Sequence, residues 1–116
     1  MQTAIKPLDI WMVSLTESIG SEQRGQRPAI VISTHKQSNT CMVVPLTKNL
    51  DAARFPYSHT IMSSAENGLT EDSVALVFQT RSLTMTAGRF LSKMGVIETV
   101  HFNHIKALIK DYLQIQ

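Results

Sequence analysis

Arg27 is the residue whose type and setting most strongly suggest chemistry. It follows a glycine-bracketed polar segment, residues 20–26, and precedes Pro28 and a short apolar run, residues 29–32, typical of a buried strand. A residue before proline is held extended, and Pro28 suits the first position of a strand because it lacks an N–H for the ladder. A permanently charged, forked guanidinium is therefore held on stiff main chain beside a polar loop.

Thr47 is the expected neighbour of Arg27. The polar residues 34–39 separate the first run from a second β-rich run, residues 40–46, so the two predict a hairpin. With the turn centred near residue 36 or 37, Arg27 lies opposite Leu46 or Thr47, and a one-residue slip moves one side chain to the other face. The pattern predicts that a guanidinium and a hydroxyl meet at the open end of one hairpin, where both can donate hydrogen bonds to an anionic group.

Each of these residues also has a purely structural explanation. Arg27 is consistent with a rim arginine whose stem covers apolar surface, and Thr47 with a strand-ending threonine bonded to its own turn. Glu22 fits a solvated loop charge, and Gln79 and Arg81 fit residues that pin the end of a strand. Residue types alone leave these alternatives open.

Composition indicates one globular domain. The chain has 116 residues, of which 43% are hydrophobic and 17% charged, enough for a core without disulfides or metal. A formal charge of +2 is too small to indicate nucleic-acid binding by itself. The single cysteine, Cys41, lies in a predicted core strand, which indicates a buried free thiol in a reducing compartment. Without a membrane-length apolar run or a signal-peptide core, a cytoplasmic, soluble protein is expected.

The rest of the chain predicts further short strands and one helix. Strand-like runs occur at residues 9–15, 58–62, 73–78 and 92–96, with an Asn67-Gly68 turn and a short helical turn at 84–87. From Thr99 onward, apolar residues such as Phe102 and Ile105 recur at helical spacing. The sequence therefore predicts a mainly β domain, a small SH3-like antiparallel barrel over about residues 8–96 with a C-terminal helix over about 99–115.

Metal chemistry is not favoured by the histidine pattern. His35, His59, His101 and His104 are scattered, and only the last two share a helix, at i, i+3. No carboxylate motif of the metalloprotease type accompanies them. Surface or capping roles are expected, and no metal site is predicted.

Several segments, in order, resemble the MazF/PemK toxin family over nearly the whole chain. They are DIWMV at residues 9–13, GSEQ at 20–23, RPAIVIS at 27–33, VPLT at 44–47, DSVAL at 72–76, QTRSL at 79–83 and KMGVI at 93–97. Separate matches in one order are more specific than any single motif.

The resemblance implies a metal-free, cofactor-free, sequence-specific endoribonuclease, the toxin of a type II toxin–antitoxin pair. It implies a homodimer that acts on single-stranded RNA and binds a small acidic antitoxin. By position, Arg27, Thr47 and Glu22 match the family's catalytic residues, with the RNA 2′-hydroxyl as nucleophile and the proton transfers open between Glu22 and Arg27. RNA contacts are expected from Ser21, Gln23, Arg24, Asn39, Gln79 and Arg81.

Two departures from the family pattern leave other functions open. Leu8 stands where the family usually has glycine, and Phe78 stands where one branch has a catalytic aspartate. The alternatives are a non-enzymatic, CcdB-like toxin that binds gyrase and a relative that has lost activity.

Overall fold

Seven strands and one α-helix make up the part of the chain that the computed structural model describes, residues 4–15 and 25–115. The strands are β1 Asp9–Ser14, β2 Gln26–His35, β3 Thr40–Thr47, β4 Ser58–Ile61, β5 Ser73–Leu76, β6 Arg81–Thr84 and β7 Phe90–Val96. The α-helix is α1, Thr99–Tyr112, and short 3-10 helices occur at Leu50–Arg54 and Val77–Gln79.

The strands form one antiparallel sheet in the order β4-β5-β3-β2-β1-β7. β3 divides one of its edges between two partners. Its C-terminal end pairs with β5 through Leu46 and Ala75, and its N-terminal half pairs with β6 from Thr40–Thr84 to Val43–Arg81. The prediction of a mainly β fold with a C-terminal helix is confirmed, but the sheet is open, so the word barrel applies only loosely.

Apolar side chains on the two faces of the sheet form two main cores. Alternate residues of one strand point to opposite faces, so Ile10 and Ile30 join the core beneath α1, whereas Trp11 and Val31 join the core on the other face. Burial on both faces explains why the central strands are continuous apolar runs rather than alternating ones. Cys41 is a buried free thiol, as predicted, and burial raises its pKa to about 11, which keeps it unreactive.

The apolar stripe of α1 is buried in the first half of the helix and partly buried in the second half. Phe102 and Ile105 are buried in the core, and Leu108 packs partly against it. In the last turn, Tyr112 packs edge-on against Tyr57 with ring centroids 5.1 Å apart. The Tyr57 hydroxyl donates to Asp111 at 2.9 Å.

Three of the histidines, expected to be scattered, are together where β4 meets α1. His59 Nε2 lies 2.8 Å from His101 Nδ1, and the His59 ring lies over that of His104 with centroids 4.4 Å apart. Burial, and then the nearby His104 and His101, lower the pKa of His59 to about 4. In the described part of the chain, no group of three or more His, Cys, Asp or Glu side chains is arranged to hold a metal ion.

His59 should make the fold less stable in acid. Between pH 6.5 and about 4, the unfolded chain binds a proton at this imidazole that the folded chain does not, so the free energy of unfolding falls as the pH is lowered through that window. Because the ring is partly exposed to screening solvent, we expect a loss of about 1–2 kcal/mol.

Urea unfolding of the wild type and of His59→Gln at pH 7 and near pH 4 measures this effect. The variant should lose about half or more of the wild-type acid sensitivity, whereas His35→Gln, at the exposed end of β2, should keep it. If the free energy of unfolding of His59→Gln falls as much as that of the wild type between pH 7 and pH 4, the role given to the histidine cluster is wrong.

The chain differs from the predicted elements between β5 and β7. The apolar run 73–78 was predicted as one strand, but β5 ends at Leu76 and continues as a 3-10 helix. Residues 84–87 were predicted as a helical turn, but Thr84 ends β6, a strand that was not predicted. Periodicity cannot separate a short strand from a helical turn within an apolar run.

Leu8 adopts the backbone conformation that glycine would favour. Its φ is +76°, which costs a residue with a Cβ on the order of 1–2 kcal/mol. Its N–H donates to Val31 at 2.9 Å and its carbonyl accepts from Ile97 at 2.9 Å. These hydrogen bonds hold Leu8 in the left-handed region of backbone conformation despite its Cβ.

Candidate active site

Strand β2 holds Arg27 near its beginning. The pairing of β1 with β2 puts Met12 opposite Pro28 and Val13 opposite Arg27. β2 begins at Gln26, so the prediction of Pro28 as the first strand residue was wrong. The β3 ladder starts only at Ala29, so proline sits where β2 has one neighbour and its missing N–H is tolerated.

Strand β3 brings Thr47 level with Arg27. The β2–β3 ladder includes Ile30–Val44 and Ala29–Pro45, and extending it by two residues puts Arg27 opposite Thr47. Of the two sequence alternatives, Leu46 and Thr47, the register therefore favours the threonine. β5 supports the other side of β3 through the Thr47–Val74 pair.

Arg27 and Thr47 line the same cavity, whose volume is about 360 Å³. Its other lining residues are Met12, Gln26, Pro28, Leu46, Lys48, Leu69, Thr70, Glu71, Ser73 and Met94. They come from β1, β2, β3, β5, β7, the residue after β3 and the loop before β5. A site built from several strand ends and one loop is positioned by the whole sheet.

The guanidinium of Arg27 is partly desolvated without full compensation. Its Nε is buried and has no hydrogen-bond partner among the described residues. A buried donor without an acceptor costs on the order of 1–3 kcal/mol. An anionic ligand in the cavity would supply the missing acceptor.

The Thr47 hydroxyl is oriented by the turn that follows it. Its Oγ1 accepts from the Asn49 N–H at 3.2 Å, and Asn49 Oδ1 in turn accepts from the Asp51 N–H at 3.1 Å at the start of a 3-10 helix. The expected strand-ending role of Thr47 is therefore present. A hydroxyl also has one proton to donate, so this hydrogen bond leaves a donor for a ligand.

An ion pair that the sequence reasoning missed lies on the cavity. Lys48 Nζ is 3.4 Å from a Glu71 carboxylate oxygen, and both residues line the cavity. The Thr47–Val74 pairing brings the chain after β3 close to the chain before β5. Opposite charges adjoining two paired strand ends were the available signal, but the pairing itself was unknown.

Asn67 holds the loop that forms one cavity wall. Its side chain is fully buried, and its Oδ1 accepts from the N–H groups of Ser64 and Leu69, each at 3.0 Å. Its Nδ2 donates to the Met62 carbonyl at 2.9 Å and to the Glu98 carboxylate at 3.2 Å. These contacts fix the start of the Leu69–Glu71 wall.

Two glycines allow this loop to approach β7. Gly68 has φ +69°, and a Cβ there would collide with the Met94 carbonyl. A Cβ at Gly95 would come within 2.5 Å of the Asn67 carbonyl carbon. The predicted Asn67-Gly68 turn therefore also sets the distance between the loop and the cavity floor at Met94.

Of the remaining sequence-predicted site residues, those that the structure describes do not line the cavity. Asn39 lies in the β2–β3 turn, at the other end of the hairpin from Thr47, about 26 Å away at the usual rise per strand residue. Gln79 ends a 3-10 helix, and its buried Oε1 has no hydrogen-bond partner among the described residues. Arg81 opens β6 opposite Val43 rather than forming a strand tip. Ser21, Glu22, Gln23 and Arg24 lie outside the described residues.

Phe78, the second departure expected from the resemblance, has a packing role. Its ring packs edge-on against Phe55 with centroids 6.0 Å apart and borders a small apolar cluster that contains Val74 and Leu76. The side chain has a packing role here and brings no titratable group toward the cavity.

The described part of the chain contains no helix with the length and apolar character needed to cross a membrane.

Comparison with solved structures places the fold. The crystal structure of MazF (form I) from Deinococcus radiodurans superposes with a TM-score of 0.81 at 19% identity, covering 98% of this chain and 100% of that one. The MazE–MazF structure (form II) from the same organism gives a TM-score of 0.77 at 17% identity, covering 99% and 100%. At this identity the likeness establishes the fold.

Sequence comparison supplies the family. Endoribonuclease MazF9 of Mycobacterium tuberculosis is 30% identical over 115 residues, covering 92% of this chain and 94% of that protein. Endoribonuclease EndoA of Bacillus subtilis is 32% identical over 82 residues, covering 68% and 70%. The family described as the PemK-like, MazF-like toxin of type II toxin–antitoxin systems matches residues 6–113. This chain therefore belongs to the PemK/MazF toxin family.

Proposed function

We propose that this toxin is a metal-independent endoribonuclease that cleaves single-stranded RNA in the cavity formed by Arg27 and Thr47. One observation carries the site assignment: both side chains line one cavity, where the buried Arg27 Nε has no acceptor in the part of the chain that the structure describes. The related MazF9 and EndoA, both named endoribonucleases, support the reaction class.

In the proposed reaction, the 2′-hydroxyl oxygen of one nucleotide attacks its own 3′-phosphorus and displaces the 5′-oxygen of the next nucleotide. The new P–O bond closes a 2′,3′-cyclic phosphate, and the broken bond leaves a 5′-hydroxyl end. Negative charge builds on the non-bridging phosphate oxygens in the transition state. Arg27 and Thr47 donate hydrogen bonds to those oxygens, and such donors act most strongly where water is excluded.

The proton balance of this step needs a base and an acid. The 2′-hydroxyl loses a proton, and the departing 5′-oxygen gains one. We assign Glu22 to accept the first proton, because a carboxylate can exchange protons near neutral pH when its environment raises its pKa, and because the family resemblance puts a functional glutamate there. A solvent water molecule donates the second proton to the departing 5′-oxygen, and the hydroxide that remains takes the proton from Glu22. Arg27 keeps its charge throughout, since guanidinium stays protonated in proteins.

RNA is proposed to extend beyond the cavity in both directions. We assign Ser21, Gln23 and Arg24 to contacts with the bases near the cleaved phosphate. We assign Gln79 and Arg81 to contacts with the RNA where it passes beside β3. Asn39 would contact only nucleotides far from the cut, because it lies at the other end of the hairpin. Reading of single-stranded RNA through base edges suits these polar side chains.

We propose a homodimer that is neutralised by a small acidic antitoxin in the cytoplasm. The MazE–MazF structures from Deinococcus radiodurans support an antitoxin partner. An acidic, partly disordered segment laid over the cavity would pair with Arg27 and order on binding.

Incubation with a long defined RNA in EDTA tests the reaction. We expect cuts at a small set of sequences, with 2′,3′-cyclic phosphate and 5′-hydroxyl ends, because neither the attacking nor the stabilising group in the proposal is a metal. Mapping the ends of the fragments gives both the sites and the chemistry. Intact RNA together with inhibition of DNA gyrase would overturn the proposal and favour the CcdB-like alternative.

A further inference from the structure

The mouth of the cavity holds a carboxylate that the proposed reaction does not use. Glu71 faces Lys48 across 3.4 Å, with 59% and 74% of their side chains exposed, and both line the cavity that contains Arg27. An exposed ion pair contributes little to stability. Lys48 and Glu71 can therefore separate, and each can contact a ligand instead, at little cost in stability.

Part of the cavity lining is apolar, namely five of its twelve described residues. Met12, Met94, Leu46 and Leu69 line it together with Pro28. Among the described residues, no aromatic side chain lines it. Methionine sulfur makes favourable contacts with aromatic rings, so this wall suits the face of a nucleobase. A cavity of about 360 Å³ is at the small end for ligand sites and fits one nucleotide.

We propose that Glu71 reads the base of a nucleotide next to the cleaved phosphate, selecting a base with an exocyclic amino group and rejecting uracil. This inference rests on the proposed function. In this arrangement, the phosphate contacts Arg27 and Thr47. The face of the base packs on Met12 and Met94, and its edge faces the Glu71 carboxylate. Glu71 is not among the residues that the sequence predicted to bind RNA.

The selectivity follows from hydrogen-bond chemistry. An ionised carboxylate only accepts hydrogen bonds. Cytosine, adenine and guanine each offer an amino group at the base edge, and glutamate accepting from cytosine is a standard contact. Uracil offers one N–H between two carbonyl oxygens, and those oxygens repel a carboxylate.

Lys48 makes a carboxylate tolerable beside RNA. An unpaired Glu71 would repel the phosphate backbone, whereas the Lys48–Glu71 pair adds no net charge and leaves the attraction of Arg27 intact. When the base donates its amino hydrogen to Glu71 in place of Lys48, the lysine ammonium can turn to a flanking phosphate. It binds that phosphate as a point charge.

The test uses a pool of RNAs randomised around one mapped cut site. The wild type should disfavour uracil at one position flanking the cut by about tenfold relative to the best base. Glu71→Gln keeps the shape but adds an amide donor that can pair with a uracil carbonyl. This variant should reduce the discrimination against uracil to about threefold or less. Glu66→Gln, an exposed change outside the cavity lining, should keep the wild-type preference.

Binding gives a readout that does not depend on the rate of the reaction. Oligonucleotides with a 2′-deoxyribose at the cut cannot form the cyclic phosphate, and their affinities should show the same uracil penalty in the wild type but not in Glu71→Gln.

Each outcome separates this inference from the proposed function. Cleavage by the wild type with an unchanged base profile in Glu71→Gln overturns the inference and leaves the proposed function standing. So does a uniform loss of rate over all sequences, which would place Glu71 in the chemistry. Failure of the wild type to cut any RNA overturns both.

Discussion

Arg27→Ala is expected to lower the rate of RNA cleavage at saturating RNA by about 10²–10³-fold, the usual effect of removing one donor to a transition-state oxyanion. The loss should appear mainly in the rate constant, because the charge that Arg27 meets is greatest in the transition state. Arg27→Lys should not restore the rate, since an ammonium lacks the planar fork that spans two phosphate oxygens. Single-turnover cleavage of a defined RNA measures both variants.

The free energy of unfolding of Arg27→Ala distinguishes a catalytic role for Arg27 from a structural one. The buried Arg27 Nε has no acceptor among the described residues, so its removal should leave the free energy of unfolding unchanged or raise it. Arg54→Ala is the control, because Arg54 lies over the Phe55 ring at 5.3 Å and outside the cavity lining. A wild-type cleavage rate in Arg27→Ala, or unfolding of that variant, would contradict the assignment.

Thr47→Val is expected to lower the same rate constant by about 10²-fold, because it removes the hydroxyl donor and keeps the side-chain shape. Thr47→Ser keeps the hydroxyl and should stay much closer to the wild type. The Asn49 N–H loses its acceptor in the valine variant, but that contact is exposed, so water replaces it. The fold should therefore remain intact, as urea unfolding would show.

Thr60→Val is a matched control for the same chemical change. Thr60 is exposed on β4 and does not line the cavity, so its variant should cut RNA at the wild-type rate. Equal losses in Thr47→Val and Thr47→Ser would instead assign the effect to packing at the end of β3.

The hairpin was predictable because its evidence is local. Arg27 before proline, two β-branched runs and a short polar turn determine the register to within one residue, and the observed pairing of Ala29 with Pro45 falls in that range. The helix was predictable for the same reason, since the positions of Phe102 and Ile105 follow from spacing alone. Local sequence patterns were therefore enough to predict that Arg27 and Thr47 lie close together, but no other part of the site.

Contacts between distant segments could not be predicted in this way. His59 and His101 are 42 residues apart in sequence, and only the packing of β4 against α1 joins them. Lys48 lies near Glu71 because the C-terminal end of β3 pairs with β5, whereas its N-terminal half pairs with β6. The hydrophobic periodicity of the sequence does not indicate this change of partner. The leucine side chain of Leu8 does not itself indicate a positive φ, because that conformation is imposed by hydrogen bonds to Val31 and Ile97.

The central claim is that Arg27 and Thr47 act together on one phosphate, and a double-mutant cycle on the single-turnover rate constant tests it most directly. The account predicts that Arg27→Ala combined with Thr47→Val loses much less than the product of the two single losses, because groups that serve one transition state are not additive. A double variant whose loss equals that product would show two independent residues, and a wild-type rate in either single variant would remove the site.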